Sequence, residues 1–531
     1  MSDYQLTIGQ LLVTPLANAG AQEIVDAGGA RFTYRQFRDR VGRLASALAH
    51  LGVREGSVVA WMDWDSHRYL EAFFAVPMMG ATLHTVNVRL APDQVLYTIN
   101  HAVDDVIVTH ADFLPLLAGI RDRITRPVTV VVMEGEAGSD HSYATLIDAA
   151  DPGFAFPALA ETTRATLFYT TGTTGEPKGV SFSHRQLVLH TFGTIAALAA
   201  VPPPGGIHKA DVYMPVTPMF HVHAWGIPYM ATVLGMKQVY PGRYDPARLI
   251  QLKQAEKVTF THCVPTILQM ILTSPAAEGA DLTGWKVIIG GAAMTPGLAK
   301  AALGRGIEVF SGYGMSETCP ILTLADVAAA QGLPEDEAVA VRCATGKAVP
   351  LVELSIRGEG MRPLPHDGSD QGELCVRAPW LTEGYLREPE RSAQLWAGGW
   401  LHTGDVGAIR PDGTLKLGDR LKDTIKSGGE WISSLELEAI GSRVEGVAEV
   451  AAIGLPDARW GERPCLVVVA RPGAEAGAVT AGLMEAVAGA IRAGQLPGWA
   501  HPDRIELVEA LPRTSVGKLD KKKMRAAFAG P

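Results

Sequence analysis

The sequence predicts an α/β protein with a large N-terminal domain of layered βαβ units and a small, mobile α+β C-terminal domain. Short apolar runs alternate with segments of helical periodicity, and each run is followed within a few residues by Gly, Ser or Thr. Buried parallel strands joined by crossover helices produce this pattern. The chain also has 57 glycines in 531 residues, which suits the many tight strand-to-helix turns of such a fold.

The clearest candidate strands in the N-terminal part are four apolar runs at residues 57–62, 166–169, 286–289 and 307–311. Near the C-terminus, apolar runs at 447–455 and 465–470 precede an Ala-rich segment at 479–493, which we expect to be a helix. These later elements indicate a small α+β domain.

A domain boundary is expected just after a hairpin-type turn at Asp412 and Gly413. The charged run at 419–423 follows this turn and separates the long first part of the chain from the short last part. We therefore predict one large domain at 1–419 and a second, smaller domain at 420–531.

Composition excludes several classes of protein. The net charge of −9 disfavours a nucleic-acid partner, because an acidic surface repels the phosphate backbone. The five cysteines have no C-x-x-C spacing, so neither a disulfide framework nor a cysteine zinc site is expected. We find no leader-type N-terminus and no apolar run of about 20 residues, and therefore expect a cytoplasmic protein without a membrane span. A homodimer is compatible with the sequence, which does not determine the oligomeric state.

The most informative segment is a loop rich in Gly and Thr. It has the sequence YTTGTTGEPKG at residues 169–179 and precedes Ser183, a candidate helix N-cap. Small residues let backbone N–H groups and hydroxyls approach an anion, and Lys178 adds a complementary charge, so a triphosphate is the expected ligand. A Walker A loop would have its Lys directly after the second Gly, but two other residues intervene here. An ordinary surface loop is the remaining alternative.

This loop resembles the phosphate-binding motif of the adenylate-forming superfamily, which includes acyl-CoA synthetases, adenylation domains of peptide synthetases, and luciferases. The motif usually has Ser where this chain has Thr171, which keeps the hydroxyl group. The resemblance implies that ATP is bound by Thr170, Thr171, Gly172, Thr173, Thr174 and Lys178.

Two further segments resemble adenine-binding motifs of the superfamily. The first, at 290–294, precedes Thr295 and Pro296 as N-cap and first helical residue; the resemblance implies adenine contacts from Gly291, Ala292 and Ala293. The second, at 311–318, implies that Tyr313, flanked by Gly312 and Gly314, stacks on adenine, that Ser316 contacts phosphate and that Glu317 coordinates Mg²⁺. An aromatic face suits a purine, and a carboxylate oxygen suits Mg²⁺. Taken singly, each segment could be a simple turn.

The sequence GWLHTGD at 399–405 resembles the ribose-binding motif of the same superfamily. The resemblance implies that Asp405 accepts hydrogen bonds from both ribose hydroxyls and that Arg420 assists. A carboxylate with two acceptor oxygens suits a vicinal diol, although an Asp beside a Gly also forms ordinary turns.

The C-terminal sequence PRTSVGKLD at 512–520 resembles the motif whose lysine contacts the reacting carboxylate and the α-phosphate. The resemblance implies that Lys518 is catalytic and that Lys422 is the hinge about which the small domain rotates between the two half-reactions. It further implies that Gly428, Gly429 and Trp431 lie along the path of CoA. A solvated basic tail is the alternative for the Lys518 region.

The segment MFHVHAWG at 219–226 is similar to the acyl-pocket segment of the superfamily, which implies that the acyl group lies against it. Its apolar and aromatic residues suggest an apolar tail, with Trp225 along the substrate path and His221 beside the reacting carboxylate. A zinc site at His221 and His223 is disfavoured because no third ligand follows at useful spacing.

Together, these motifs predict an ATP-dependent acyl-CoA ligase that uses ATP, Mg²⁺ and CoA and acts on medium- to long-chain fatty acids. Two alternatives stay open: a CoA ligase for a short or thioether acid such as 3-methylmercaptopropionate, and a stand-alone adenylation enzyme that loads a carrier protein. A luciferase-like oxygenase has no support in the sequence. A non-catalytic binding protein is disfavoured because Lys518, Glu317 and Asp405 are all present.

Overall fold

The computed structural model describes residues 4–135, 140–170, 176–201, 205–420, 423–428, 430–513 and 519–529, with only the backbone of residues 420, 430 and 431. The chain forms two compact units. The first consists of Met1–Glu353 and Arg377–Ala397, and the second of Leu354–Val376 and Gly398–Pro531. The predicted boundary between residues 419 and 420 stays a prediction, because residues 421 and 422 lie outside the described part of the chain.

The first unit contains two large sheets. From one edge to the other, the seven-stranded sheet consists of His141–Ser142, Thr129–Val132, Val106–Thr109, Val58–Met62, Thr82–Thr85, Arg164–Thr170 and Lys178–Ser183. All neighbours in this sheet are parallel except the last pair, which is an antiparallel hairpin. Every residue of Val58–Met62 is buried, as expected for a parallel strand with both faces covered.

The nine-stranded sheet has a parallel centre and antiparallel edges. Its order is Lys347–Ala348, Ile321–Leu324, Ile307–Gly314, Trp285–Ile289, Phe260–Cys263, Val212–Tyr213, Lys237–Tyr240, Glu23–Asp26 and Arg31–Thr33. The neighbours Trp285–Ile289 and Ile307–Gly314 are parallel. Their carboxyl ends therefore lie at the same edge of the sheet, which is where open α/β sheets usually bind ligands.

Helices of the first unit surround these sheets. They are Val13–Asn18, Tyr34–His50, His67–Met78, Pro92–Ala102, Leu114–Ile120, Tyr143–Ala149, His184–Ala199, Ile227–Val233, Pro246–Ala255, Pro265–Thr273, Pro296–Leu303, Glu335–Cys343 and Pro389–Leu395, with a short turn at Val222–Trp225. The predicted N-caps are confirmed: Ser183 forms a capping box with Gln186, and the Thr295 side chain accepts from Leu298 N.

The second unit contains a four-stranded antiparallel sheet and a five-stranded sheet. The first consists of Glu353–Arg357, Gly372–Arg377, Leu401–Ile409 and Leu415–Arg420. The second consists of Glu430–Ile432, Ile425–Ser427, Gly461–Ala470 and Val447–Asp457, and Arg504–Leu507 pairs with Gly461–Ala470. Its helices are Ser434–Gly441, Ala476–Arg492 and Lys521–Phe528.

Alternation along one strand explains how the C-terminal sheet is covered on both faces. Ala452 belongs to a core cluster that includes Leu437 and Leu483, whereas its neighbours Ala451 and Ile453 belong to a second cluster. Successive side chains of a strand point to opposite faces, so this short sheet has helices packed on each side.

The predicted α/β fold class is confirmed. Every candidate strand from the sequence is present with small differences at its ends, and the Ala-rich helix spans Ala476–Arg492. The turn at Asp412 and Gly413 joins two antiparallel strands, with Gly413 at φ +83°. Among the residues that the structure describes, no helix combines the length and apolarity needed to cross a membrane.

Candidate active site

The two ends of the predicted phosphate loop lie on paired antiparallel strands, which we call the hairpin arms. These are Arg164–Thr170 and Lys178–Ser183, and they place Thr170 directly opposite Lys178. Both side chains are partly buried. Thr171, Gly172, Thr173 and Thr174 lie outside the described residues, so their predicted contacts stay predictions.

Tyr169 anchors the base of this hairpin. Its hydroxyl lies 2.9 Å from His101 Nδ1. Its ring lies 3.3 Å from the position that a Cβ would occupy at Gly179, the residue opposite on the partner strand. A larger residue at position 179 would therefore press against the ring, and the hairpin arms could not pair as closely.

The two predicted adenine segments follow neighbouring parallel strands. Gly291, Ala292 and Ala293 are exposed in the loop after Trp285–Ile289, with Gly291 at φ +77°. Ile307–Gly314 carries Gly312, Tyr313 and Gly314, all partly buried. The structure thus brings these two motifs to one edge of one sheet, as the sequence predicts for a nucleotide site.

A tight turn follows Tyr313 and determines where Glu317 lies. The register of pairing with the next strand shifts between Tyr313 and Gly314. A Cβ at Gly314 would lie only 1.7 Å from Pro320 O. No other residue type fits there without movement of the backbone. The chain then forms the 3-10 turn Ser316–Thr318, in which Glu317 is 7% exposed.

Tyr385 holds one oxygen of the Glu317 carboxylate. Its Oε1 accepts a hydrogen bond of 2.8 Å from the Tyr385 hydroxyl, and no hydrogen bond to Oε2 is found among the residues that the structure describes. A carboxylate oxygen that accepts no hydrogen bond is suited to a hard cation such as Mg²⁺. Sequence reasoning did not identify Tyr385, which lies outside every motif used above.

The predicted acyl segment contains an unusual backbone turn. Val222, His223, Ala224 and Trp225 all have φ between +47° and +60°, so Val222–Trp225 is a left-handed helical turn without glycine. Such a conformation costs roughly 1–2 kcal/mol per residue for L-amino acids. Strained backbone of this kind is concentrated at functional sites, where the surrounding structure maintains it.

Neighbouring groups fix both ends of the acyl segment. Asp65 accepts from Met219 N over 2.7 Å, and burial raises the pKa of Asp65 to about 8. At the other end, the Trp225 ring lies 4.9 Å from the ring of His262, and its edge lies 2.9 Å from the position of a Cβ at Gly290. Trp225 is 6% exposed, and His221 is partly exposed.

His223 points into the core, away from any metal-binding arrangement. It is completely buried, and its two ring nitrogens have no hydrogen-bond partner among the described residues. The rings of Phe73, Phe168 and Phe182 lie edge-on to it. Burial lowers the pKa of His223 to about 3. The described residues include no group of metal-ligating side chains that contains His221 or His223.

Asp405 lies in the second unit, on the strand Leu401–Ile409. It is 6% exposed and pairs in register with Arg420 on the antiparallel neighbour strand. The two residues predicted to bind ribose are therefore cross-strand partners, although the Arg420 side chain lies outside the described atoms.

Side chains near Asp405 form hydrogen bonds with the turn that precedes it. Glu373 binds His402 Nδ1 at 2.8 Å and accepts from Gly404 N at 3.1 Å. With Cys375, these residues place three potential metal-ligand atoms within 4.8 Å of one another. Burial, followed by the charge of Glu373, raises the pKa of the Cys375 thiol to about 12, which disfavours the thiolate that metals require. We therefore interpret the group as a support for the Asp405 turn.

The remaining predicted residues are only partly described. Gly428 lies in the turn between Ile425–Ser427 and Glu430–Ile432 at φ +63°, and a Cβ there would lie 3.0 Å from the Trp460 ring. Only the backbone of Trp431 is described. Gly429, Lys422 and Lys518 lie outside the described residues.

Comparison with protein families matches residues 16–386 to the AMP-binding enzyme family and residues 436–518 to the AMP-binding enzyme C-terminal domain. The chain is 39% identical to a long-chain-fatty-acid–CoA ligase of Thermus thermophilus, over 99% of this chain and 96% of that protein. It is 37% identical to a 3-methylmercaptopropionyl-CoA ligase of Ruegeria lacuscaerulensis, over 98% and 99%. Its fold matches the crystal structure of an anthranilate–CoA ligase in complex with anthranoyl-AMP, with a TM-score of 0.87 at 23% identity over 99% and 98% of the chains.

Proposed function

The chain belongs to the AMP-binding enzyme family, and from this premise we propose that it is an AMP-forming acid–CoA ligase. A carboxylate oxygen bonds to the α-phosphorus of ATP, and pyrophosphate leaves. The CoA thiol then attacks the acyl carbon, so that acyl-CoA and AMP form and the thiol proton is released. The proposal rests on the placement of the 290–294 loop and Tyr313 at one sheet edge, as in a nucleotide site.

We propose a binding residue for each part of the nucleotide. Lys178 and the loop before it would bind the phosphates with Ser316, Tyr313 would stack on adenine, and Asp405 would accept from the ribose hydroxyls. In-line transfer at phosphorus concentrates negative charge, and fixed cations and N–H groups stabilise it. The burial of Asp405 and its pairing with Arg420 support this assignment.

We propose Glu317 as the residue that holds Mg²⁺. When bound, the ion would neutralise part of the charge on the phosphates. The Oε2 atom of Glu317 is suited to this role, because the hydrogen bond from Tyr385 occupies only Oε1.

The roles of Lys518 and Lys422 are proposed from the sequence motifs. Lys518 would contact the reacting carboxylate and the α-phosphate, and rotation at Lys422 would then remove it and admit the CoA thiol beside Gly428 and Gly429. The expected cytoplasmic location and homodimer also stay predictions.

For the acid, we propose medium- to long-chain fatty acids. His221 would lie beside the carboxylate, and Trp225 beside the tail. The apolar acyl segment and the similarity to the Thermus protein support this choice. A short or thioether acid is the second candidate, which the similarity to the 3-methylmercaptopropionyl-CoA ligase of Ruegeria lacuscaerulensis supports.

Pyrophosphate exchange into ATP tests the activity directly. With acids from propionate to palmitate and 3-methylmercaptopropionate, we expect exchange that depends on the acid, and AMP and acyl-CoA when free CoA is added. Production of ADP, or no exchange with any acid, would contradict the proposal. Exchange without transfer to free CoA would instead favour an enzyme that loads a carrier protein.

Shortening the side chain at position 225 should change the choice of acid. In the series Trp225, Trp225→Phe and Trp225→Ala, we expect kcat/KM for decanoate relative to butyrate to rise stepwise, by about tenfold or more in total, since each added methylene contributes roughly 1 kcal/mol or more in an apolar pocket. Steady-state kinetics with both acids measures this ratio. An equal effect on the two acids would show that Trp225 does not line the tail.

A further inference from the structure

Tyr385 contacts two groups to which the proposed function assigns ATP binding. Its hydroxyl donates to Glu317 Oε1 over 2.8 Å, and Lys178 Nζ lies 4.4 Å from the centroid of its ring. One side chain thus contacts the proposed magnesium ligand through its hydroxyl and the cation of the phosphate loop through its ring face. Its two partners are 139 positions apart in the sequence. Lys178 begins a strand of the seven-stranded sheet, and Glu317 lies in the 3-10 turn between two strands of the nine-stranded sheet.

The backbone around Tyr385 is joined to both of these regions. Tyr385 forms an antiparallel bridge with Val180, and Leu386 N donates to Gly179 O over 2.8 Å. On the other side, Thr382 N donates to Glu317 O over 2.9 Å. Residues 382–386 therefore connect the Lys178 strand to the Glu317 turn, and Tyr385 lies at the centre of that connection.

The hydroxyl and the ring of Tyr385 each orient one neighbouring group. The Tyr385 hydroxyl donates to Glu317 Oε1, because a carboxylate oxygen can only accept. A donor on Oε1 fixes the rotation of the carboxylate and leaves Oε2 for a cation. The ring face attracts the Lys178 ammonium group through the quadrupole of the aromatic system.

We propose that Tyr385 is a positioning residue that holds the Glu317 carboxylate and the Lys178 ammonium group in one fixed arrangement for magnesium–ATP. This inference rests on the proposed function. It adds to that function a residue between the two motifs that sets the geometry of both.

Tyr385→Phe removes the hydroxyl and keeps the ring. We expect the affinity for Mn²⁺, measured by electron paramagnetic resonance with α,β-methylene-ATP and without turnover, to fall about 10- to 100-fold, the usual effect of losing a group that orients a metal ligand. In steady-state assays the KM for magnesium–ATP should rise, and excess Mg²⁺ should restore most of kcat. Tyr385→Leu, which also removes the ring under Lys178, should weaken nucleotide binding further.

Tyr143→Phe is the matched control. The Tyr143 hydroxyl also donates to a buried carboxylate, that of Glu71, but neither residue belongs to the proposed site. We expect this variant to bind Mn²⁺ like the wild type. Unchanged Mn²⁺ affinity in Tyr385→Phe, or an equal loss in both variants, would overturn the inference. A wild type without acid-dependent pyrophosphate exchange would instead refute the proposed function.

Discussion

Glu317→Gln is expected to slow acyl-adenylate formation about 10²- to 10³-fold, which corresponds to about 2.7–4 kcal/mol of lost transition-state stabilisation. Glutamine has nearly the same size and can still accept from Tyr385, so the turn at Ser316–Thr318 should persist. It lacks the negative charge that makes a carboxylate oxygen a good ligand for Mg²⁺. Pyrophosphate exchange at saturating acid, over a range of Mg²⁺ concentrations, measures the effect.

Glu308→Gln is the control for this substitution. Glu308 lies on the strand Ile307–Gly314 that leads to the Glu317 turn, and it pairs with Arg342 at 2.8 Å. Loss of this pair should leave the exchange rate within about twofold, because a partly exposed ion pair contributes at most about 1 kcal/mol to stability. Similar pyrophosphate-exchange rates for the two variants would contradict the assignment of Glu317 as a magnesium ligand.

Acidification from pH 7 to pH 5 is expected to destabilise the first unit by several kcal/mol. Burial lowers the pKa of four histidines: to about 4 for His184, and to about 3 for His190, His223 and His262. In the unfolded chain each has a pKa of 6.5. Below this pH the unfolded state therefore binds protons at these histidines, whereas the folded state does not. Stability therefore falls as pH drops below about 6.5, at roughly 1.4 kcal/mol per histidine and pH unit, until the folded pKa is reached.

Buried carboxyls of the same unit offset part of this effect. At pH 5 the loss is roughly 2 kcal/mol for each histidine, whereas burial raises the pKa of Asp65 to about 8 and that of Asp63 to about 6, so these carboxyls take up protons in the folded state as the pH falls. Urea unfolding between pH 4.5 and pH 7.5 measures the slope, which gives the number of protons taken up on unfolding. A flat profile would contradict the prediction.

A single substitution isolates one of these histidines. His223→Phe keeps an aromatic ring among Phe73, Phe168 and Phe182, and it breaks no hydrogen bond, because the ring nitrogens of His223 have none with the described residues. We expect proton uptake on unfolding to fall by about one near pH 5. His50→Gln, at an exposed helix end, should leave the uptake unchanged.

Local sequence patterns were sufficient for much of the fold. The strand before the 290–294 loop and the strand that carries Tyr313 are mostly apolar at their centres and are preceded by glycines. The helix starts at Ser183 and Thr295 follow from side chains a few residues apart. These strands and helix starts depend on interactions between residues that are close in the sequence, so they can be predicted from it directly. The edge at which the adenine motifs meet follows from the same information, because parallel strands align their ends.

Contacts between distant segments could not be predicted in this way. Tyr385 and Glu317 are separated by 68 positions, and only the folded chain shows that the hydroxyl meets the carboxylate. The left-handed turn at Val222–Trp225 could not be predicted from the sequence either. Left-handed backbone is normally predicted from glycine, and none of these four residues is glycine. Surrounding contacts, such as that of Asp65 with Met219, hold the flanks of the turn.

That turn has a practical meaning for anyone who wishes to redesign the choice of acid. Four consecutive residues at positive φ have a conformational cost of roughly 4–8 kcal/mol. Packing contacts with the neighbouring core must offset this cost. Glycine at Ala224 would ease this tension but let the loop relax into other shapes, and Trp225 would lose its fixed orientation. Substitutions confined to the side chains at 221 and 225 are therefore the safer route, whereas changes to the backbone between them would displace Trp225.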